Sequence, residues 1–348
     1  MKHILVIRLS AMGDVILTLP VIRSVLLLNP ELKITVLTRK PFNTFFSNID
    51  RLQVVVADVN SEHKSAFGLF RLQKQLASSN SIDAVVDLHD VLRSRVLSFF
   101  FRIKGTPIYR ITKDRIAKKK IIKTKITALL PHTTERYLDV FRSAGLRTEL
   151  STTLQAIPGI VVNKDDIAKA EEFFATTSQS SSIGFAPFAK HQTKTLPEEK
   201  SEDLIKKLIE KNYTVYLLGG KEDEAIINEW SQKYKSVYST LSLTLAQQTA
   251  LLSNLELVIS MDSGNMHLAA VQGVPVISIW GATHPSFGFS GINTDENTWI
   301  STLKQLSCRP CSVFGNKPCS NMESPLACLH EIETDEIVKK AEQLLMKN

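Results

Sequence analysis

LELVISMDSGNMHLAAVQGVPVISIWG, Leu255–Gly281, decides the fold. LELVISM is a short, apolar, β-branched run of the kind that suits a strand covered on both faces. Asp262-Ser263-Gly264 makes a tight turn, NMHLAAVQG reads as a short helix, and VPVISIWG as the next strand. Strand, helix, strand without a hairpin turn is a βαβ unit, which builds a parallel sheet.

The same rhythm extends in both directions. Upstream lie SIGFAP (strand), PEEKSEDLIKKLIEK (helix), TVYLLGG (strand) and LTLAQQTALLSN (helix). Downstream, Ile337, Val338, Ala341, Leu344 and Leu345 recur at helical spacing. Near the N-terminus, HILVIRL, ELKITVLTR, QVVVADV and IDAVVDLHD read as strands. VILTLPVIRSVLLLN, Ala66–Ala77, VLRSRVLSFFFRI and about Thr134–Ala144 read as helices, with Gly145 as a C-cap. The two alternations are separated by Leu150–Ser182, with its Pro158-Gly159 turn and the Ser-rich TTSQSSS. An α/β protein of two doubly wound domains is predicted, 1–160 and 161–348.

Composition fits this. At 348 residues, 43% hydrophobic and 22% charged, the chain is long enough for two cores. No apolar run reaches 18 residues, so no membrane-spanning helix is expected. The apolar N-terminus is interrupted by Arg8 and Asp14, which favours a first strand over a signal peptide and predicts a cytoplasmic protein. The net charge of +7 is uneven: residues 1–160 carry 25 Lys and Arg against 12 acids. Arg102–Lys125 holds ten of those bases and a single acid, Asp114. This is either a solvated surface or the seat of an anionic partner.

Four loop-forming motifs sit where strands end. RLSAMGDVILTLP places Gly13 and Asp14 between the first strand and a helix, the edge at which open α/β sheets bind ligands. Asp14 there is either a helix cap or a chemical group. Ser10 would cap as well. At Asp262-Ser263-Gly264, a helix start with His267 in its first turn suits an anion such as a pyrophosphate. FAPFAKHQTKTLPEE brings Lys190 and Lys194 to the same edge, and LLGGKEDE brings Gly219, Gly220 and Glu222. Neither G-x-G-x-x-G nor a Walker A sequence is present, which removes the key residues of a dehydrogenase or a P-loop enzyme. Cys308, Cys311, Cys319 and Cys328 open with C-x2-C, as a structural Zn site would, but lack a tight second knuckle.

The S-x-M-G-D motif, the K-x-x-P-E-E stretch, G-G-x-E-D, D-S-G-x-x-H and the late cysteines together resemble the heptosyltransferase family, glycosyltransferase family 9. The resemblance covers nearly the whole chain. It implies a GT-B fold, two Rossmann-like domains facing a central cleft, with the acceptor held by 1–160 and the donor by 161–348. It implies an inverting transfer that requires no metal or other cofactor, from ADP-heptose to a lipopolysaccharide inner-core or lipid A-linked acceptor. Asp14 then looks like the general base and Lys194 like the group that steadies the leaving diphosphate. Asp262, Ser263, Gly264, His267, Glu222, Leu243 and Gly13 look like donor-binding residues. Arg93, Arg115, Lys118 and Arg136 are acceptor candidates by charge and position. The expected partners are a nucleotide-sugar and an anionic glycolipid at the inner-membrane surface, met by a cytoplasmic, peripheral monomer that binds no nucleic acid. AKHQT before Lys194 lacks the paired hydroxyls of the best-known members. Two other readings stand beside this one: a GT-B transferase or epimerase using a UDP or GDP sugar, and a non-catalytic basic protein binding membrane or nucleic acid.

Overall fold

The computed structural model describes residues 1–79, 81–125, 128–149, 159–178, 180–292, 294, 298–300 and 306–346. The chain divides into two compact units, Met1–Lys113 with Pro131–Val161, and Asp114–Leu130 with Val162–Asn348.

The first unit runs β1 (His3–Ile7), α1 (Met12–Ile16), α2 (Thr18–Leu28), β2 (Lys33–Thr38), β3 (Leu52–Val56), α3 (Ala66–Ser79), β4 (Ala84–Asp87), α4 (Leu92–Ile103) and β5 (Ile108–Arg110). The chain then forms α5 (Arg115–Thr124), which belongs to the second unit, and returns with α6 (Thr133–Ser143). The strands form one parallel sheet in the order β3-β2-β1-β4-β5. Leu5, Ile7, Leu37 and Val85 meet Leu69, Leu72 and Leu76 of α3 and Leu97 and Phe101 of α4 in one buried cluster. Burying each such leucine contributes about 1.5–3 kcal/mol.

The predicted helix Val15–Asn29 is two helices. Pro20 has no N–H to offer the Ile16 carbonyl, and the Thr18 hydroxyl takes the Val15 carbonyl at 2.7 Å. The ladder therefore breaks at Leu17. Within the basic stretch Arg102–Lys125, Arg115–Thr124 is helical and forms α5. Leu150–Ser182, read as a connector, contains a helix of 14 residues described next.

The second unit comprises α7 (Lys164–Thr177), β6 (Ser182–Ala186), α8 (Glu198–Glu210), β7 (Thr214–Leu217), α9 (Glu224–Lys233), β8 (Val237–Ser239), α10 (Leu245–Leu252), β9 (Leu257–Met261), α11 (Gly264–Val271), β10 (Val276–Ile279), β11 (Trp299–Ile300), α12 (Ala327–His330) and α13 (Thr334–Leu345). Its parallel order is β11-β10-β9-β6-β7-β8. Asn163 caps α7 through the Asp166 N–H at 2.8 Å. Thr244 and Gln247 form a reciprocal capping box on α10. The apolar face predicted for the last helix is buried: Ile337, Val338 and Ala341 join Ile183, Leu204, Ile259 and Ile277 in the core.

Both sheets reverse their strand order once, beside β1 and β4 in the first unit and beside β6 and β9 in the second. In open parallel sheets the crevice at the carboxyl end of such strands is where ligands bind. Among the described residues no helix is long and apolar enough to cross a membrane.

Candidate functional site

In the first unit, the loop after β1 and the loop after β4 meet at the reversal. Asp14 lies in α1, and its carboxylate receives Arg8 Nη2 at 2.5 Å. It also accepts the Ala11 N–H at 3.4 Å, so it back-bonds to its own helix start as a capping acid does. Its side chain is 39% exposed against 8% for Arg8, which leaves the carboxylate reachable and its partner buried. Burial works against the Arg8 charge, but Asp14, Tyr137 and Asp87 more than offset it and raise its pKa. The Tyr137 hydroxyl donates to the Asp14 carbonyl at 3.2 Å.

Ser10, an alternative cap by sequence, turns instead toward His89, with Oγ 3.5 Å from Nε2. His89 Nδ1 accepts the Leu9 N–H at 3.3 Å, so the neutral ring carries its proton on Nε2. Burial, reinforced by Arg8 and Lys113, pushes the His89 pKa down to about 3. Asp87, at the end of β4, accepts the His89 and Asp90 N–H groups at 3.0 and 2.9 Å. Arg8 Nη1 reaches the Leu88 carbonyl at 2.5 Å. Gly13 is buried inside α1.

In the second unit, the loop after β6 and the loop after β9 meet in the same way. Lys194 Nζ lies 2.9 Å from Asp262 Oδ2, with the two side chains 15% and 7% exposed. The Thr283 hydroxyl donates to that same carboxylate oxygen at 2.7 Å. Ser263 Oγ stands 3.2 Å from Ser260 Oγ, and Ser263 precedes Gly264 at the start of α11. His267 is buried in the first turn of that helix. Gly315 closes over the lysine: the Thr193 hydroxyl donates to its carbonyl at 2.6 Å. That loop is tied to the end of β10 by Arg309, whose Nε and Nη2 donate to the Gly281 and Trp280 carbonyls at 2.7 and 3.0 Å.

Among the sequence candidates, Lys194 and Asp262 are thus in direct contact, and Ser263, Gly264 and His267 follow on the same turn. Glu222 and Leu243 follow the ends of β7 and β8 on the same sheet edge, and neither makes a polar contact with Lys194 or Asp262. Arg93 belongs to the first unit, where it donates to the Val59 carbonyl at 3.3 Å. Arg136 is buried on α6, with Nη2 on the Thr133 hydroxyl at 2.8 Å. Arg115 and Lys118 are acceptor candidates by charge and position, expected within 1–160. They lie on α5, which packs with the second unit, and Lys118 Nζ sits 5.0 Å from the Phe289 ring centroid. Sequence reasoning missed Arg8, His89, Thr283 and Gly315.

The four cysteines are free thiols, and all of them line one cavity of about 10 Å³ shared with Thr193, Ala282 and Arg309. That is room for a single water at most. Burial pushes the Cys328 thiol up to about 12 and raises Cys311. Among the described residues no group of three or more His, Cys, Asp or Glu side chains is arranged to hold a metal ion.

Residues 69–318 match the model of glycosyltransferase family 9 (heptosyltransferase). Lipooligosaccharide heptosyltransferase 2 of Haemophilus ducreyi is 28% identical over 244 residues, which span 63% of this chain and 68% of that enzyme. The family 9 glycosyl transferase of Veillonella parvula superposes with a TM-score of 0.79 at 20% identity, covering 100% of this chain and 98% of its own. E. coli heptosyltransferase WaaC with ADP superposes with a TM-score of 0.68 at 19% identity, covering 98% and 99%. These superpositions identify the fold as GT-B, two Rossmann-like units in one chain. With the family model matching well over half of the sequence, the chain is a glycosyltransferase and belongs to family 9, the heptosyltransferases.

Proposed function

We propose that this chain transfers heptose from ADP-heptose to a lipid A-linked or inner-core lipopolysaccharide acceptor, in a single inverting displacement that requires no metal. The observation that carries the reading is the Lys194–Asp262 pair at 2.9 Å beside the Ser263–Gly264 helix start, at the strand reversal of the second unit. A cation and backbone N–H groups at that edge suit a diphosphate. The ADP named with the E. coli neighbour supports the nucleotide.

In this mechanism the acceptor hydroxyl attacks the anomeric carbon, and the bond from that carbon to the diphosphate oxygen breaks. The proton passes to the Asp14 carboxylate. The negative charge appears on ADP, where Lys194 Nζ exchanges Asp262 for the phosphate, and Asp262 keeps the Thr283 hydroxyl as its partner. Arg8 fixes the orientation of Asp14, and the Tyr137 bond to the Asp14 carbonyl holds α1. Glu222 and Leu243 flank the ribose and base, and Gly13, His267, Ser263 and Gly264 complete the donor contacts. Arg93, Arg136, Arg115 and Lys118 supply cations for the acceptor phosphates, and the enzyme works on the cytoplasmic face.

The test is incubation with ADP-heptose and a Kdo–lipid A acceptor, reading ADP release and the mass of the glycolipid. A gain of one heptose per ADP released is expected. Transfer from a UDP or GDP sugar in place of ADP-heptose would overturn the donor assignment.

A further inference from the structure

The outer faces of α3 and α4 in the first unit are built unlike those of an ordinary surface helix. A helix on a globular protein turns apolar residues inward and polar ones outward. On α4, Leu97 and Phe101 do point into the core, yet Leu92, Phe99 and Ile103, spaced i, i+7 and i+11, are 80%, 57% and 63% exposed. On α3, Phe67 is 61% exposed. The two helices are joined across this face by aromatic contacts. The Phe70 and Phe100 rings meet edge-on at 5.3 Å, and Phe99 lies 6.1 Å from Phe100. Exposed apolar side chains gathered on two neighbouring helices in this way mark an interaction site.

Its charge is one-sided. Neither α3 nor α4 contains an acidic residue. Arg71 lies 4.5 Å over the Phe67 ring and Lys74 4.7 Å over Phe70, with Arg102 and Lys104 also exposed along α4 and its end; Arg95 is paired with Asp90 at 2.7 Å. Aromatic and aliphatic side chains framed by cations, with no acid between them, match the interface of an anionic bilayer. A second copy of the same face would set cation against cation. Moreover, α4 begins in the Leu88–Val91 turn that holds Arg8 and His89 beside Asp14. A bilayer lying along α4 delivers a lipid-anchored acceptor to the end where that carboxylate sits.

We propose that the α3–α4 face docks the enzyme on an anionic phospholipid surface, with Phe67, Leu92, Phe99 and Ile103 entering the headgroup boundary and Arg71, Lys74 and Arg102 meeting lipid phosphates. The docking stands on this surface alone. Its benefit to catalysis rests on the lipid-linked acceptor of the preceding section.

The experiment is co-sedimentation of the full chain with phosphatidylcholine vesicles and with phosphatidylcholine–phosphatidylglycerol vesicles. The wild type binds the anionic vesicles and releases them as salt rises. Phe99→Ser with Ile103→Ser, and separately Arg71→Glu with Arg102→Glu, each weaken binding about tenfold or more, while ADP affinity and turnover on a delipidated soluble acceptor are unchanged. Equal vesicle binding by wild type and both double variants would overturn the proposal. So would a wild-type dimer in sedimentation velocity that binds no vesicles and that Phe99→Ser with Ile103→Ser dissociates, which would give the face to a second copy. Failure of the wild type to bind ADP would strike the functional reading and leave the vesicle result to stand by itself.

Discussion

Gly315 has no side chain, yet replacing it with alanine is expected to damage the donor site. Its φ is +73°, in the left-handed region, where a Cβ costs about 1–2 kcal/mol. An added Cβ would stand 2.6 Å from Lys194 Cγ and 3.2 Å from Thr193 Oγ1. Carbon atoms settle at about 3.5–4.0 Å, so the lysine stem has to move by about 1 Å. Its Nζ is tethered to Asp262 at 2.9 Å, so the shift is passed to the cation. A displacement of about 1 Å at a reacting centre costs up to about 100-fold in rate. Gly315→Ala should therefore lower turnover about 10- to 100-fold, measured as ADP release, with a loss of about 1–2 kcal/mol in stability measured by urea unfolding. Lys194→Met alone should cost about 100- to 1,000-fold. Because both changes act through one ammonium group, the double variant should be little slower than Lys194→Met. Normal turnover in Gly315→Ala, or losses that multiply in the double variant, would refute the claim that this loop positions Lys194.

Asp14→Asn keeps the shape of the side chain and removes the base. It should leave ADP affinity within a few-fold of wild type and cut turnover about 100-fold or more; near-normal turnover would remove Asp14 from the chemistry. Acid should destabilise the fold through two histidines, the buried His89 and the partly buried His284. His89 stands at about 3 and His284 at about 4, held down by burial and by Arg8 and Arg309 respectively, whereas both titrate near 6.5 when unfolded. Below pH 6.5 the unfolded chain binds more protons, so stability is full above that pH. It falls toward pH 4 for His284 and 3 for His89, at about 1.4 kcal/mol per histidine per pH unit. His89→Gln should flatten this slope in urea unfolding between neutral pH and about pH 4.5, and an unchanged slope would contradict the assignment.

The parallel sheets were legible because HILVI, KITVLT, SIGFA and LVISM are apolar runs bounded by turn residues, the pattern of strands buried on both faces. The strand-end positions of the candidates were legible in the same pattern: Asp262 and Gly264 stand in the turn directly after β9, and Asp14 and Lys194 stand seven and eight residues past the ends of β1 and β6. Thr283 and Gly315 were not, because their meaning lies in contacts with Asp262 and Lys194 across 21 and 121 residues of chain. Arg8 read only as an interruption of an apolar run, yet its side chain folds back onto the carboxylate six residues later. Helix α7 was hidden by the neighbouring serines, although Asn163 as a cap and Ile167, Ala170 and Phe174 at helical spacing were there to be read. The boundary read at Leu150–Ser182 left α5 with the first half, whereas it clusters with the second unit, where the buried Lys118 lies against Phe289; that contact spans 171 residues of chain and leaves no local signal.

The most direct test of the central claim is calorimetric titration of the full chain with ADP, UDP, GDP and CMP, repeated on Lys194→Met. Saturable binding of ADP in preference to the others, weakened about tenfold or more by Lys194→Met, is the result this account predicts. Binding of UDP or GDP in preference to ADP would contradict the ADP-heptose donor, and ADP binding unaffected by Lys194→Met would remove the diphosphate from the Lys194–Asp262 site.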